Sequence, residues 1–290
     1  MSWRTVVIAS SAKLDYQLGF LVIRKEDTVK IHLGEISMLI VENTSVSLTA
    51  ALLSELTKKK IKVIFCDEKR NPSSELVSYY GCHDTSSKIR RQLNWTEDAK
   101  ASIWTNIVRE KIHKQAELLE RCRLAESAML YQYMDEVRPN DDSNREGHAA
   151  KVYFNALFGK DFTRSLENST NAALNYGYGI ILSAFNREIV ANGYITQLGL
   201  FHDNMFNQFN LGSDLMEPFR VLVDCAVKNM MPQKFEHEEK VTILKILQQE
   251  VRIGNRREYV NNAIKIYCRS VFDALNENDA LLIKFYENEL

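Results

Sequence analysis

One segment of the chain, residues 199–224, concentrates the residue types that bind metal ions. It reads GLFHDNMFNQFNLGSDLMEPFRVLVD, and its one histidine is His202. Its carboxylates are those of Asp203, Asp214, Glu217 and Asp224. Such groups are costly to bury in an otherwise apolar and aromatic segment unless they are paired or hold a metal. The segment is therefore a candidate site, although ion pairs and helix caps also place acidic residues beside apolar ones.

A further acidic residue, Glu146, stands upstream in the sequence REGHAAKVYF. If Glu146, His202 and Glu217 converge, two carboxylates and one imidazole offer hard oxygen donors and one borderline nitrogen, a set that suits Mg²⁺ or Mn²⁺. Such an ion can polarise a phosphodiester and stabilise the charge that develops as a nucleophile attacks phosphorus in line. The five cysteines show no CxxC spacing, which argues against a structural zinc site.

Each of these residues also has a purely structural interpretation. His202 follows an apolar run, where a histidine is more often a hydrogen-bonded core residue than a ligand. Glu146 lies near a predicted helix start, where the helix dipole favours a negative charge, and Glu217 precedes Pro218 at what can be a helix entry or kink. Asp214 lies three residues before Glu217 and would share its helix face, as a second ligand or as a cap. The residues alone leave these alternatives open.

The N-terminal part of the chain predicts a small β-sheet domain. Apolar and polar residues alternate over 28–33, and the turn-like residues 25–27 separate two apolar runs, which indicates short antiparallel strands. A helix is predicted from Leu48 to about Lys60 with Ser47 as its cap, and a buried strand follows at 61–65. Turn-forming residues then accumulate up to Ser87 and mark a domain boundary.

From about Lys88 onward the pattern becomes helical, and no comparable strand pattern returns. Apolar residues recur at helical spacing at Ile103, Ile107, Ile112, Ala116 and Leu119. Amphipathic helices are predicted at 237–249 and 257–276. The sequence therefore predicts an α+β protein, with a small N-terminal β-sheet domain at residues 1–85 followed by a larger all-α domain at residues 86–290 that carries the candidate ligands.

Composition limits the classes of partner. The 290 residues are 45% hydrophobic and 26% charged, enough for one large or two modest domains, and neither a signal peptide nor an apolar run of membrane-spanning length is present. A cytoplasmic protein without membrane contact is expected. Because the formal net charge is -1, nucleic-acid binding would depend on local groups. The candidates for DNA contact are Arg145, Lys151, Arg164, Tyr176, Arg187, Arg220, Arg252, Arg256 and Arg257.

Three motifs in order give the chain a close resemblance to the CRISPR-associated protein one family, the integrases of spacer acquisition, and to its type II-A branch. They are REGHAAKVYF at 145–154, LNYGYGIIL at 174–182 and GLFHDNMFNQFNLGSDLMEPFR at 199–220. The N-terminal residues 34–68 also look like the strand-helix-strand unit of that family. The resemblance spans nearly the whole chain.

The resemblance implies a division of labour between the two domains. The small N-terminal domain would serve dimerisation and partner contacts, and the helical domain would bind metal and DNA. The metal ligands of the family correspond to Glu146, His202 and Glu217, and Asp214 matches an acidic position near the site. The implied reaction joins the 3′-hydroxyl ends of a double-stranded prespacer to the leader-repeat junction by transesterification, with associated endonuclease activity.

The resemblance also implies partners. The chain would form a homodimer, and two such dimers would flank a central dimer of the second CRISPR-associated protein in a 4:2 assembly. The type II effector nuclease and the ring-forming acquisition protein of the type II-A branch would be further partners. Two other functions remain open at this point. One is a metal nuclease that hydrolyses branched or nonspecific DNA, and the other is a noncatalytic scaffold that binds DNA or proteins.

Overall fold

The computed structural model describes residues 4–68, 70–78 and 82–288. The chain divides into two compact units. The first comprises residues 1–85 with 190–193, and the second comprises residues 86–189 with 194–290. The short segment 190–193 thus groups with the first unit, whereas the sequence pattern places all of 86–290 in one domain.

The first unit contains two four-stranded sheets and one helix among the described residues. Its strands are β1 (Arg4–Ile8), β2 (Ala12–Gln17), β3 (Phe20–Arg24), β4 (Thr28–His32), β5 (Ile36–Val41), β6 (Val46–Leu48), β7 (Lys62–Cys66) and β8 (Pro72–Leu76), and its helix is α1 (Ala50–Lys58). One sheet has the order β1-β5-β7-β8 and the other β4-β3-β2-β6. Strand β5 pairs in parallel with both β1 and β7 and is buried along its whole length, as expected for its uninterrupted apolar sequence ISMLIV.

Helix α1 begins later than the sequence predicts. Thr49 has an extended backbone and its side chain accepts a hydrogen bond from the Leu52 amide, so Thr49 is the N-cap. Ser47 instead lies in the short strand β6, which pairs with β2. The prediction of Ser47 as the cap is therefore wrong, because a serine in a paired strand cannot cap a helix that begins three residues later.

The second unit is mainly helical. Its helices are α2 (Thr85–Leu93), α3 (Glu97–Arg121), α4 (Ser127–Asp135), α5 (Arg145–Phe158), α6 (Ser169–Ala191), α7 (Asn210–Leu215), α8 (Arg220–Met230), α9 (His237–Leu244) and α10 (Val260–Glu277). An N-terminal unit of β-sheets followed along the chain by a mainly helical unit confirms the predicted α+β class. Within the described ranges, none of the helices is both long and apolar enough to cross a membrane.

A small sheet in the second unit was not expected from the sequence. It consists of β9 (Glu250–Ile253), β10 (Arg256–Tyr259) and β11 (Tyr286–Asn288) in the order β10-β9-β11. The hairpin between β9 and β10 turns at Gly254 and Asn255, whose φ angles of 54° and 62° suit a two-residue turn. The expectation that no strand returns after Lys88 is therefore wrong, because a Gly-Asn turn between two short strands outweighs the helical pattern around it.

Helix α3 is the element that positions the candidate site. It begins after Thr96, whose side chain accepts a hydrogen bond from the Ala99 amide, and it packs against α4, α5 and the single turn of 3₁₀ helix at Glu217–Phe219. Its buried face is apolar except for a few polar residues, among them Lys111 and Lys114. Lysine is seldom buried without a partner, so each of these side chains indicates a nearby anion.

Candidate metal centre

The carboxylates of Glu146 and Glu217 meet at the side chain of Lys111. The Lys111 Nζ lies 2.5 Å from the Glu146 Oε1 and 2.5 Å from the Glu217 Oε2. The side chains of Lys111 and Glu217 are nearly inaccessible, with exposed fractions of 9% and 4%, whereas that of Glu146 is 24% exposed. Three separate elements, α3, α5 and the turn before α8, thus bring one cation and two anions to a common point.

The side chain of Glu146 is not needed to cap its own helix, because another residue does so. Asp141, which is buried, accepts hydrogen bonds from the Arg145 and Glu146 amides at 2.8 and 3.0 Å. The residue directly before the helix, Asn144, is left-handed and makes no side-chain cap. Capping by Glu146 does not explain its position, because Asp141 already satisfies the first amides of α5. The Glu146 side chain is directed to Lys111 instead.

Glu217 is held from two sides by cations. Its Oε1 accepts a hydrogen bond of 2.9 Å from the Arg220 Nε. Its Oε2 lies within ion-pair distance of Lys111 but accepts no hydrogen bond of suitable geometry, so this buried oxygen keeps an unused lone pair. Burial opposes ionisation of Glu217, but the charges of Arg220 and Lys111 outweigh it and hold its pKa below the ordinary value.

The same balance applies to Lys111. Burial disfavours its charged form, yet the carboxylates of Glu217 and Glu146 more than offset that cost and raise its pKa above the ordinary value. Lys111 is therefore a permanent cation at neutral pH. In this structure it compensates the negative charge of the two glutamates.

His202 lies in the segment between α6 and α7, which folds around the carboxylate of Asp214. The Asp214 Oδ2 accepts hydrogen bonds from the Leu200 and Phe201 amides at 2.6 and 3.1 Å, and its Oδ1 accepts one from the His202 amide at 3.2 Å and pairs with the His202 Nδ1. A Cβ at Gly199 would lie 2.6 Å from the Asp214 Oδ2, so only glycine allows the chain to approach this closely. Asp214 organises the loop as well as the ring.

The pairing with Asp214 fixes the orientation of the imidazole. Because Nδ1 faces Asp214, Nε2 is the ring nitrogen left to act as a ligand. The hydrogen bond to Asp214 raises the pKa of His202 above 6.5, burial opposes the rise, and the charges of Asp214, Glu217 and Glu146 add to it. The influence of both glutamates shows that the ring lies in their electrostatic range.

An aromatic pair borders the histidine. The rings of Trp104 and Phe201 are stacked, with centroids 4.7 Å apart and an interplanar angle of 6°, and Trp104 also meets the His202 ring edge-on at 5.8 Å. Trp104 is fully buried on α3, whereas Phe201 is 45% exposed. The stack therefore connects the histidine loop to the same helix that carries Lys111.

The donor set fits a hard divalent cation, although the ligand atoms do not surround a common point. Two carboxylates and one imidazole suit Mg²⁺ or Mn²⁺, and the Glu217 Oε2 is a buried acceptor without a hydrogen-bond donor. The ligand atoms of Glu146, His202 and Glu217 nevertheless do not all lie within 4.8 Å of one another. Among the described residues, only Cys82, His83 and Asp84 form a group of three that meets this distance. The ammonium of Lys111 lies 2.5 Å from an oxygen of each glutamate, so it occupies the position between them.

The Cys82-His83-Asp84 group differs in kind from the glutamate pair. Its three residues are consecutive, and its central histidine is exposed. The Cys82 Sγ lies 2.8 Å from the Asp84 Oδ1 and 3.9 Å from the His83 Nδ1. Neighbours in sequence are necessarily close in space, so this proximity reflects a local turn.

Sequence reasoning missed three residues that build the site. They are Lys111, Trp104 and Gln92. Gln92 is buried and holds the histidine segment through hydrogen bonds to the backbone of Ile195 and Leu198. A signal existed for Lys111, which lies four residues after Ile107 on the predicted apolar stripe of α3, where a charged residue calls for a partner.

The candidate DNA-contact residues separate into two groups. The exposed members are Lys151, Arg252, Arg256 and Arg257. Among the less exposed arginines, Arg145 pairs with Glu136, Arg164 with Asn171 and Asn175, Arg187 with Glu188 and Arg220 with Glu217. An exposed cation is more accessible to a phosphate than a cation held inside the protein.

Tyr176 does not fit the prediction that it contacts DNA. It is 3% exposed, its ring meets Phe235 edge-on and the Lys240 Nζ lies 5.3 Å from its centroid. A nucleic-acid base cannot stack on a ring that the rest of the protein covers almost completely. The tyrosine instead packs inside the helical unit, and this prediction is corrected.

Two other acids of the 199–224 segment have separate roles. Asp203 is exposed beside His202. Asp224 is buried and accepts hydrogen bonds from the hydroxyls of Tyr153, at 2.9 Å, and Tyr178. Burial raises the pKa of Asp224 to about 6, against the lowering effect of the two tyrosine hydrogen bonds. Asp224 therefore connects α8 to α5 and α6.

Comparisons with known proteins agree with this architecture. The chain matches the family described as "CRISPR associated protein Cas1" over residues 5–252. It is 37% identical over 294 residues to the CRISPR-associated endonuclease Cas1 of Neisseria meningitidis serogroup C (strain 8013), covering 99% of this chain and 97% of that protein.

Solved structures share the fold at lower sequence identity. A casposase bound to its integration product is 16% identical with a TM-score of 0.77, over 96% of this chain and 92% of that one. A Cas6-RT-Cas1–Cas2 complex is 18% identical with a TM-score of 0.74, over 97% of this chain, and this chain spans 36% of the length of the matched one. These structures show the shared fold, and the family match over residues 5–252 with the 37% identical relative shows that the chain belongs to the CRISPR-associated protein Cas1 family.

Proposed function

We propose that this protein is a divalent-metal-dependent DNA integrase of CRISPR adaptation. In this proposal it joins the 3′-hydroxyl ends of a prespacer to the leader-repeat junction. One observation carries it: Glu146 and Glu217, from different elements, meet at one point in the electrostatic range of a histidine that Asp214 orients. Two carboxylates and an oriented imidazole are the donor set that suits Mg²⁺ or Mn²⁺.

Glu146, Glu217 and the Nε2 of His202 would hold Mg²⁺ or Mn²⁺. When bound, the ion would polarise the target phosphodiester and stabilise the charge that develops at phosphorus. Arg220 holds the Glu217 Oε1, so Oε2, which faces the Lys111 Nζ at 2.5 Å, would be the oxygen that binds the ion. Asp214 holds the imidazole with Nε2 directed away from itself, as partners of ligating histidines do.

The reaction exchanges one phosphodiester for another. A bond forms between the attacking 3′-oxygen and the target phosphorus, the bond from that phosphorus to its original 3′-oxygen breaks, and the proton lost by the attacking hydroxyl is balanced by the one taken up by the leaving oxygen. No external energy source is needed. A second copy of the site would attack the opposite strand at the far end of the repeat.

The partners follow from the same assignment. Exposed cations at Lys151, Arg252, Arg256 and Arg257 would contact duplex phosphates, so binding should weaken as salt rises. Two homodimers would flank a central Cas2 dimer, consistent with the name of the Cas1–Cas2 complex that shares this fold. In a type II-A system, the effector nuclease and the ring-forming acquisition protein would join this cytoplasmic assembly.

The direct test is integration of a prespacer into a leader-repeat plasmid with Mg²⁺ or Mn²⁺ and Cas2. Loss of a residue that supports a metal ligand costs 10 to 100-fold, so Glu146→Ala and His202→Ala should lower the rate by more, about 10³-fold or beyond. Asp203→Ala is the matched control, because Asp203 is an exposed acid next to His202. Full integration by either ligand variant would disprove the assignment.

A second candidate function is hydrolysis of DNA at the same centre, with water as the nucleophile. The name of the Neisseria relative, an endonuclease, favours it. Sequencing the products separates the two, since integration leaves a new covalent junction and hydrolysis leaves only ends. A noncatalytic scaffold would show neither product and would keep its DNA binding when Glu146 and His202 are replaced.

A further inference from the structure

We infer that Lys111 is a built-in competitor of the metal ion. Its ammonium would stabilise the metal-free centre by occupying the place between Glu146 and Glu217, and a divalent ion would bind only by displacing it. This inference rests on the proposed function, because it takes Glu146, His202 and Glu217 as the ligands. It goes beyond that function by assigning a role to a residue outside the ligand set.

The geometry requires the competition. The Lys111 Nζ lies 2.5 Å from one oxygen of each glutamate, and those glutamates would approach a bound ion to about 2.0–2.6 Å. An ammonium and an ion therefore need the same oxygens and the same space. Because only 9% of its side chain is exposed, Lys111 is a buried component of the site and not a surface lysine.

The electrostatics predict two opposite effects of removing Lys111. Without the ammonium, two carboxylates would face each other with little water to screen them, so the metal-free protein should become less stable. The same loss removes a positive charge and a rival from the ion's position, so metal affinity should rise. A lysine with a merely structural role would produce the first effect and not the second.

Helix α3 supplies a matched control one turn further on. Lys114 is as buried as Lys111, with 2% of its side chain exposed, and it also lies between two carboxylates, Glu110 at 3.4 Å and Glu117 at 3.0 Å. Neither of these glutamates is in the ligand set. Lys114→Met therefore removes a buried, doubly paired lysine from the same helix without touching the proposed centre.

The experiment compares the full chain with its Lys111→Met and Lys114→Met variants. Thermal unfolding in EDTA gives the stability of each metal-free protein, and calorimetric titration with Mn²⁺ gives the affinity. Tryptophan fluorescence provides a second binding signal, because Trp104 meets the His202 ring at 5.8 Å. We expect both variants to unfold at lower temperature in EDTA than the unmodified protein.

The affinities should then differ. Lys111→Met should bind Mn²⁺ about tenfold more tightly or better, and Mn²⁺ should raise its melting temperature more than it raises that of the unmodified protein. Lys114→Met should stay within about twofold of the unmodified affinity, since it lies outside the centre and screening weakens its influence. A Lys111→Met affinity equal to or weaker than that of Lys114→Met overturns the inference.

Failure of the inference is distinguishable from failure of the proposed function. If the unmodified protein binds no Mn²⁺, or binds it equally well as Glu146→Gln, the proposed centre itself is wrong. If Mn²⁺ binding depends on Glu146 but is not tightened in Lys111→Met, only the role of Lys111 is wrong. Should Lys111→Met not fold in EDTA, Lys111→Gln is examined with and without Mn²⁺: folding rescued by Mn²⁺ supports the inference, and failure to fold in both conditions overturns it.

Discussion

Two clusters one turn apart on α3 look alike and are built in different ways. Lys111 and Lys114 are both buried, and each lies between two carboxylates. Lys114 finds Glu110 and Glu117 on its own helix, at the spacings i-4 and i+3. Lys111 finds Glu146 on α5 and Glu217 in the turn before α8. One cluster forms whenever the helix forms, and the other exists only when three elements are packed.

The difference indicates which cluster serves function. Pairs at helical spacing are an ordinary way to satisfy a lysine on a helix and contribute a few tenths of a kcal/mol each, about 0.2–0.5. A carboxylate pair collected from separate elements needs the whole fold to hold the anions together, and the fold gains little stability from such an arrangement. The Lys111 cluster is therefore the one whose geometry points to chemistry.

A histidine with an acidic partner is associated with each cluster. His202 pairs with the fully buried Asp214, which in turn accepts three backbone hydrogen bonds. His113 lies 3.6 Å from Glu110 and 3.6 Å from Glu117 on its own helix, beyond a good hydrogen bond. The His202 ring is thus part of a tertiary hydrogen-bond network, whereas the His113 ring contacts only acidic residues of its own helix in these two pairs.

The largest expected contrast is between Glu217→Gln and Glu117→Gln. Each change takes a carboxylate from a buried lysine, but Glu217 is also a proposed ligand. Glu217→Gln should lower strand transfer by about 10³-fold or more, beyond the 10 to 100-fold that a supporting residue costs, whereas Glu117→Gln should leave it within about twofold. Integration assays with purified variants measure this. Equal losses in both would show that the two clusters are not functionally distinct.

A smaller contrast is expected between the partners of the two histidines. Asp214→Asn exchanges an acceptor oxygen for an amide donor where three backbone amides and a ring nitrogen converge. It should lower strand transfer 10 to 100-fold and the free energy of unfolding by about 2–4 kcal/mol.

Glu110→Gln is the control for Asp214→Asn. It should leave strand transfer unchanged and reduce the free energy of unfolding by about 1 kcal/mol or less, since the Glu110 contacts are long, at 3.4 Å to Lys114 and 3.6 Å to His113, and Lys114 keeps Glu117 as a partner. Denaturant unfolding and the integration assay together measure both effects. If Asp214→Asn kept full activity, the orienting role of Asp214 would be wrong.

The smallest expected contrast is in the pH dependence of stability without metal. The hydrogen bond to Asp214 raises the pKa of His202, and the nearby Glu110 carboxylate raises that of His113. A pKa above 6.5 in the folded state means that the protonated ring stabilises the fold. The contribution is fully present below pH 6.5 and is lost as pH rises through the raised value.

Both imidazoles are more than a third exposed, with fractions of 40% and 37%, so solvent screening limits the effect. His202→Asn should remove about 1 kcal/mol or less of pH-dependent stability, and His113→Asn a few tenths of a kcal/mol. Denaturant unfolding in EDTA across neutral pH gives these values. An unaltered pH profile in His202→Asn would mean that the Asp214 pair does not stabilise the protonated ring.

The fold was predictable where local patterns are unambiguous. The strand near 28–33 and the helical stripe of α3 follow from the period of the sequence. The sequence also predicted antiparallel strands in this region, which is correct for β2, β3 and β4 but wrong for β5, a buried strand parallel to both β1 and β7. The hairpin of β9 and β10 was missed, because each strand has four residues and the Gly254-Asn255 turn is its main sequence signal. Short strands are judged poorly by periodicity, since few residues are available to show the period.

The candidate ligands Glu146, His202 and Glu217 were named from motifs, and their role stays a prediction that the variants above test. The structure adds the arrangement that no motif contained. Asp141, and not Glu146, satisfies the first amides of α5, and Asp214 is occupied with the histidine loop. A capping acid and a site acid look the same in sequence, because both stand near a helix start.

The amino-acid pattern alone dictates the Lys114 cluster, because residues three and four apart on a helix must be neighbours. It also dictates that Lys111, on the same apolar stripe, needs an anion. Which anions it meets is dictated by packing, since Glu146 and Glu217 are far from Lys111 along the chain and no period relates them. Distances between such residues are set by how α3, α5 and the turn before α8 pack. A lysine between two glutamates, where a divalent ion would bind, is therefore visible only in three dimensions.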